Sequence, residues 1–229
     1  MPAAHFLTAV DHARIAYDVS GVGPVLVLYY GWQDGRDQWH KLGWVQRLSA
    51  DFTVITLDLR GCGESDAFDD PARYTPALHL SDLHAVADEC GAARFALLGY
   101  SWGATVTRNL AALSNRVTRA VMFSTYFGNI FTETFLAELF ALYRADPIMA
   151  ARVQGLRVWI GIEAAALKCP ALILTGTADG DVVKVLETQR SVIEAAGITL
   201  RVFDGLNHDG LVGAVDTVLP CVQAFLMAD

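Results

Sequence analysis

The chain has 229 residues, 53% hydrophobic and 18% charged, enough to bury a sizeable core in one domain. Its formal net charge is −8 and it has no basic run, so the electrostatic footprint of a nucleic-acid-binding protein is missing. No apolar stretch approaches a membrane span, and Met1-Pro-Ala-Ala-His-Phe6 lacks the basic and apolar regions of a signal peptide, so a cytoplasmic protein is expected.

In chain order, Ala4–Thr8 and Arg14–Asp18 read as a short edge hairpin. Val25–Tyr30 is a continuous apolar run, as a strand buried on both faces requires. A helix is expected over 37–48, a strand over 52–57 and then the tight turn Asp58-Leu-Arg-Gly-Cys-Gly-Glu-Ser-Asp66. Thr75 caps a helix running to about Cys90, with Pro76 at its first position. Strands at 94–98 and 118–123 flank a helix at 104–113. The alternation then stops. Residues 125–168 carry helical signals at 132–144 and 147–167 and no strand, which predicts a helical lid inserted between core segments 1–124 and 169–229. Strands at 171–175 and 199–203 and helices at 182–196 and 211–227 close the chain. Such alternation predicts a mostly parallel sheet flanked by helices.

Cys62, Cys90, Cys169 and Cys221 lie far apart, which fits free thiols, and His79 and His84, five residues apart, fall off one helical face. His79 and His84 read as structural and His5 and His12 as surface residues. No metal or cofactor is expected.

Gly99-Tyr-Ser-Trp-Gly103 joins a strand to a helix, the context in which G-x-S-x-G forms a nucleophile elbow. A serine held in a strained turn needs a residue without a side chain two before and two after it. A hydroxyl is a poor nucleophile at neutral pH and needs a base, for which histidine is suited. A carboxylate then orients the imidazole and stabilises its cation. Asp179, in Thr175-Gly-Thr-Ala-Asp179, and His208, in Gly205-Leu-Asn-His208, both sit just past a strand end. Loops at the carboxyl ends of parallel strands converge on one edge, so Ser101, Asp179 and His208 can meet there. Asp181 is the alternative acid, ahead of Asp204 and Asp209, which are too close in sequence to His208 to orient it easily.

These stretches, with Gly31-Trp32 and Trp39, resemble the α/β-hydrolase fold, close in pattern to lid-bearing serine esterases and cofactor-free haloperoxidase-like perhydrolases. The resemblance covers nearly the whole chain and implies eight mostly parallel strands, the second antiparallel. It implies Ser101 as nucleophile, His208 as base and Asp179 as orienting acid. The backbone N–H groups of Trp32 and Trp102 would form the oxyanion hole. The family usually has His-Gly before that hole, its histidine bracing the loop by hydrogen bonding. Here the pair is Tyr30-Gly31, so Tyr30 either replaces the brace or points into the pocket. Gly31, Tyr126, Phe127, Phe131 and Trp159 are further expected pocket residues, which suits a small-molecule acyl substrate with an apolar or aryl portion. Hydrolysis of a small carboxylic ester is the leading expectation. A lactone, thioester or C–C bond hydrolase, a perhydrolase, or a non-catalytic ligand-binding relative would carry the same constellation. Epoxide hydrolases and haloalkane dehalogenases of this fold carry Asp where Ser101 stands.

Overall fold

A computed structural model describes residues 4–228; the reading of the first three residues lies outside that range. The sheet has eight strands: β1 (His5–Thr8), β2 (Arg14–Ser20), β3 (Val25–Tyr29), β4 (Thr53–Leu57), β5 (Phe95–Tyr100), β6 (Val117–Phe123), β7 (Ala171–Gly176) and β8 (Thr199–Phe203). They lie in the order β1-β2-β4-β3-β5-β6-β7-β8, with β2 antiparallel to both neighbours and all other pairs parallel.

Side chains alternate across this sheet because the strand period is two. Val27, Ile55, Leu97, Met122 and Ile173 face one buried cluster. It is covered by α3 (Pro76–Glu89), α4 (Trp102–Leu113) and α7 (Gly180–Ala195). Leu26, Leu28, Val54, Leu98 and Leu172 face the other cluster. There α1 (Asp37–Lys41), α2 (Trp44–Leu48), α8 (His208–Gly213) and α9 (Val215–Leu226) pack, with Trp39 and Trp44 fully buried. Both faces are covered, which is why the central strands read as unbroken apolar runs.

The strand order reverses at β3, which has β4 on one side and β5 on the other. Ligand sites of open α/β sheets lie at such a switch point, beyond the carboxyl ends of the strands. The Tyr30–Arg36 loop leaves β3 there and Ser101 leaves β5.

Three expected helices are interrupted. The helix expected over 37–48 breaks into α1 and α2 at Gly43, whose φ of +82° is left-handed. The helix expected over 147–167 stops after α6 (Pro147–Gly155), where Gly155 packs closely on Tyr74, and continues as the short 3-10 turns Leu156–Val158 and Ala164–Ala166. The helix expected over 211–227 starts earlier, at His208, because the Asn207 side chain accepts from the Gly210 N–H, and it breaks at Ala214. Between β6 and β7, α5 (Glu133–Tyr143) and α6 form the helical insertion, with Thr132 capping α5. No helix among the described residues is long and apolar enough to cross a membrane.

Candidate active site

Ser101 has φ 56° and ψ −116°, a conformation that L-residues rarely adopt. The flanking glycines permit it in different ways. A Cβ on Gly99 would lie 2.2 Å from the Gly103 carbonyl oxygen, so Gly99 lets α4 close onto its own strand. A Cβ on Gly103 would lie 2.2 Å from the Tyr29 carbonyl oxygen, so Gly103 lets α4 meet β3. Neither obstacle is a flexible side chain. Gly103→Ala is therefore expected to cost about 3 kcal/mol or more, read as a lower urea midpoint at unchanged m-value.

The loops after β7 and β8 are tied to each other before they reach the serine. The Thr177 N–H donates to the Phe203 carbonyl at 2.9 Å and the Ala178 N–H to the Leu206 carbonyl at 3.0 Å. Gly176 makes this approach possible, since a Cβ there would lie 1.9 Å from the Leu206 carbonyl oxygen. Across this junction His208 Nδ1 lies 2.9 Å from Asp179 Oδ1, and His208 Nε2 lies 2.9 Å from Ser101 Oγ. Asp179 is buried, and its other oxygen accepts from Thr175 Oγ1 at 3.1 Å. Burial raises its carboxyl, but His208, by hydrogen bond and charge, together with the hydroxyls of Ser124 and Thr175, outweighs this and holds it below the ordinary 3.8. The other acids considered are engaged elsewhere. Asp181 is exposed and paired with Lys184 at 2.9 Å; Asp204 accepts from Thr177; Asp209 accepts from the Tyr100 hydroxyl at 2.7 Å.

A cavity of about 210 Å³ opens beside Ser101. Trp32, Trp102, Thr105, Ser124 and Val182 line it from the core. Thr125, Tyr126, Ile130, Phe131, Phe135, Leu139 and Leu156 of the insertion line it as well. The Trp32 and Trp102 backbone N–H groups donate to no protein group among the described residues, and Trp102 opens α4, where the helix dipole is positive.

Four expected pocket residues do not line this cavity. Tyr30 packs edge-on to Trp39 and against Tyr100, with ring centroids 5.2 and 5.1 Å apart, and burial pushes its hydroxyl up to about 12. Gly31 passes beside Tyr100 and Ser101 without reaching the cavity wall. Phe127 is buried, its backbone held at both ends by the Gln189 side chain of α7. Trp159 supports Trp102 from behind, its indole N–H donating to the Tyr74 carbonyl at 2.8 Å. Aromatic residues in the insertion divide between cavity wall and packing, and helical spacing alone does not separate them.

His79 and His84 are structural, bonded to the Thr75 carbonyl and the Ser114 hydroxyl; burial lowers His79 to about 4. Among the described residues no cluster of three metal-binding side chains occurs. Sequence reasoning passed over the buried arginines. Arg36 joins the loop after β3 to Asp18, Asp58 and Glu64. Burial lowers the Arg108 guanidinium to about 10; it donates to the Tyr126 carbonyl, fixing the start of the insertion. Arg152 reaches back from α6 to the Trp32 carbonyl. The signal that could have found Arg152 is a lone arginine in the apolar run Ala150-Ala-Arg-Val153.

A family model described as the alpha/beta hydrolase fold matches residues 24–161, more than half of the chain. The chain belongs to the α/β-hydrolase fold family. Within this family its sequence is similar to "Epoxide hydrolase 3" of Siraitia grosvenorii, 38% identical over 88 residues, which cover 38% of this chain and 27% of that protein. It is also similar to "Epoxide hydrolase 4" of Mus musculus, 26% identical over 125 residues, covering 54% of this chain and 34% of that protein. The matches thus span about a third of these curated relatives or less. Among solved structures, a hydrolase from Pseudomonas aeruginosa PA01 superposes with a TM-score of 0.82 at 21% identity, covering 98% of both chains. The enol-lactonase of Burkholderia xenovorans LB400 superposes with a TM-score of 0.81 at 20% identity, covering 98% of this chain and 100% of that one. At these identities the likeness establishes the fold. The same family resemblance, eight strands with β2 antiparallel, was legible in the motifs quoted above.

Proposed function

We propose that this chain is a serine hydrolase that cleaves small carboxylic esters through an acyl-enzyme on Ser101. The observation that carries the reading is the continuous chain of contacts from Ser101 Oγ to His208 Nε2 and from His208 Nδ1 to Asp179 Oδ1, each 2.9 Å. In this reading Ser101 attacks the acyl carbon while His208 takes its proton. The tetrahedral oxyanion accepts from the Trp32 and Trp102 N–H groups. His208 returns the proton to the leaving alcohol, and water repeats the cycle on the acyl-enzyme.

The surroundings divide the substrate. The apolar cavity of about 210 Å³ beside Ser101 takes a short-chain or aryl acyl group. The open cleft of about 420 Å³ lined by His208, Asp209, Asn207, Asp181 and Val182 lies on the base's side, where the alcohol must leave. The helical insertion over residues 125–168 acts as the lid of this site. Cys62, Cys90, Cys169 and Cys221 are unpaired, as in a reducing compartment, so the cytoplasm is the location proposed.

Epoxide opening, the activity in the names of the sequence relatives, is not proposed here. A carboxylate nucleophile opening an epoxide leaves an ester that water can cleave. A serine would leave an ether, which this machinery cannot hydrolyse. The test is labelling by a fluorophosphonate probe, with release of p-nitrophenol from its acetate and butyrate esters. Wild type is expected to label and turn over; Ser101→Ala is expected to do neither. Folded wild-type protein that neither labels nor turns over would overturn the reading in favour of ligand binding.

A further inference from the structure

We propose that Arg152, carried by the insertion, is the positioning residue of the oxyanion loop: it holds Trp32 in place by its carbonyl and its ring. The proposal rests on the serine-hydrolase reading above.

The Gly31–Trp32 end of the loop after β3 has little of its own to hold it: Arg36 anchors the other end, and at the Trp32 carbonyl only Cys62 Sγ, at 3.5 Å, stands beside Arg152. Among the described residues, no backbone hydrogen bond donated or accepted by Gly31 or Trp32 ties them to a neighbouring strand. Tyr30 stands where the family's bracing histidine is expected, and its hydroxyl makes no hydrogen bond to the loop; its ring packs on Trp39 and Tyr100. Arg152 supplies the missing brace from 120 residues further along the chain. Its Nη2 donates to the Trp32 carbonyl and lies 3.2 Å from Cys62 Sγ. Its Nη1 donates to the Gly61 carbonyl at 3.0 Å. The guanidinium carbon sits 4.3 Å from the centroid of the Trp32 ring, close enough for a cation–π contact. One rigid fork thus holds Trp32 by backbone and side chain and ties it to the turn after β4. The Trp32 indole also packs at a near-right angle to the ring of Trp102, the residue with the second oxyanion N–H, with centroids 5.5 Å apart. The two residues that carry the donors are therefore packed ring to ring, with Arg152 against Trp32.

Buried Arg36 and Arg60 each pair with carboxylates. Arg108 and Arg152 are equally buried, yet among the described residues no carboxylate lies within 4 Å of either, and of these two only Arg152 touches the oxyanion loop. An uncompensated buried cation is costly. Here the guanidinium spends its donors on the Trp32 and Gly61 carbonyls, so keeping Trp32 in place is what offsets that cost. Arg152 touches no reacting atom; it acts through Trp32. Because α6 also carries the chain to Leu156, which lines the acyl cavity, a lid that is out of place leaves the oxyanion loop unbraced.

The test compares wild type with Arg152→Met and Arg152→Lys. A 1 Å displacement at an active site can cost about 100-fold. Arg152→Met is expected to lower kcat on p-nitrophenyl butyrate by about that factor, with KM within about threefold. Arg152→Lys keeps the charge but not the fork and is expected to lose about tenfold, a partial rescue. The readout that a merely structural role would not move is inhibition by a trifluoromethyl ketone bearing the same acyl group. Its adduct places an oxyanion in the hole, so its Ki should weaken in step with kcat/KM. The corresponding carbinol, which forms no oxyanion, should bind all three proteins alike. Equal weakening of ketone and carbinol, or wild-type kcat in both variants, would overturn the proposal. If Arg152→Met does not fold, Arg152→Lys decides by the same criteria. Hydrogen exchange separates failure here from failure of the hydrolase reading. The Trp32 indole N–H, which is buried without a hydrogen-bond partner, should exchange at least tenfold faster in a folded Arg152 variant than in wild type, with β5 unchanged. That outcome supports positioning even if wild type proves unable to hydrolyse esters, and unchanged exchange rules it out.

Discussion

Replacing His208 with alanine is expected to lower kcat on p-nitrophenyl butyrate by about a millionfold, the scale at which a triad base fails when removed alone. The physical reason is that, among the described residues, Ser101 Oγ has one side-chain hydrogen-bond partner, His208 Nε2 at 2.9 Å. KM should stay within about threefold, because the apolar wall of the cavity is formed by other residues. Fluorophosphonate labelling should slow in parallel, since that reaction needs the same activated hydroxyl. Two substitutions serve as controls. His84→Ala removes a histidine bonded only to Ser114, and Asp209→Asn alters a carboxylate that accepts from Tyr100; neither should cost more than a few-fold in kcat. A His208→Ala variant retaining more than a hundredth of wild-type kcat would remove His208 from the role of base.

How much of this could be read from the sequence follows from the range of the forces involved. The elbow was legible because its glycines stand at fixed spacing about Ser101. A Cβ on Gly99 would meet Gly103 and Thr107 of the same elbow and helix, a local demand, whereas one on Gly103 would meet Tyr29 of β3, which only the fold brings there. Asp179 and His208 were legible because a parallel sheet delivers the ends of β7 and β8 to one edge, whatever the details of packing. The acyl cavity was only partly legible. Tyr126 and Phe131 line it, but Phe127, one residue from Tyr126, turns into the core and bonds through its backbone to Gln189. That choice is made by α7, more than fifty residues away. The buried arginines were missed for the same reason. An arginine in a sequence reads as surface, and only the fold brings Asp82 to Arg60, the Tyr126 carbonyl to Arg108 or the Trp32 carbonyl to Arg152. Helix interruptions fall between the two cases. Gly43 carries a local signal, but nothing local announces that Gly155 will meet Tyr74.

Asp179→Asn is the second large effect expected, a loss of about ten-thousandfold in kcat by analogy with the same change in protease triads. The substituted amide keeps the shape of the carboxylate but not its hydrogen-bonding character. Thr175 Oγ1 donates to one oxygen of Asp179 and His208 Nδ1 faces the other. If the amide oxygen keeps the bond from Thr175, its NH₂ faces Nδ1, which must then accept. The proton moves to Nε2, the nitrogen that has to take the proton from Ser101, and the base is lost without any displacement of the ring. Asp181→Asn, which changes an exposed carboxylate paired with Lys184, should lose no more than about twofold. The opposite ranking would transfer the orienting role to Asp181. Stability gives a second signature with its own sign. The Asp179 carboxyl is held below 3.8 in the folded state, so it binds its proton more weakly there than in the unfolded chain. Its stabilisation is complete above about pH 5 and lost as the pH falls through the ordinary carboxylate range and below. Between pH 5 and pH 3 the wild-type melting temperature should therefore fall more steeply than that of Asp179→Asn, in which the amide does not titrate. Parallel curves would mean that the His208–Asp179 contact contributes nothing to the folded state.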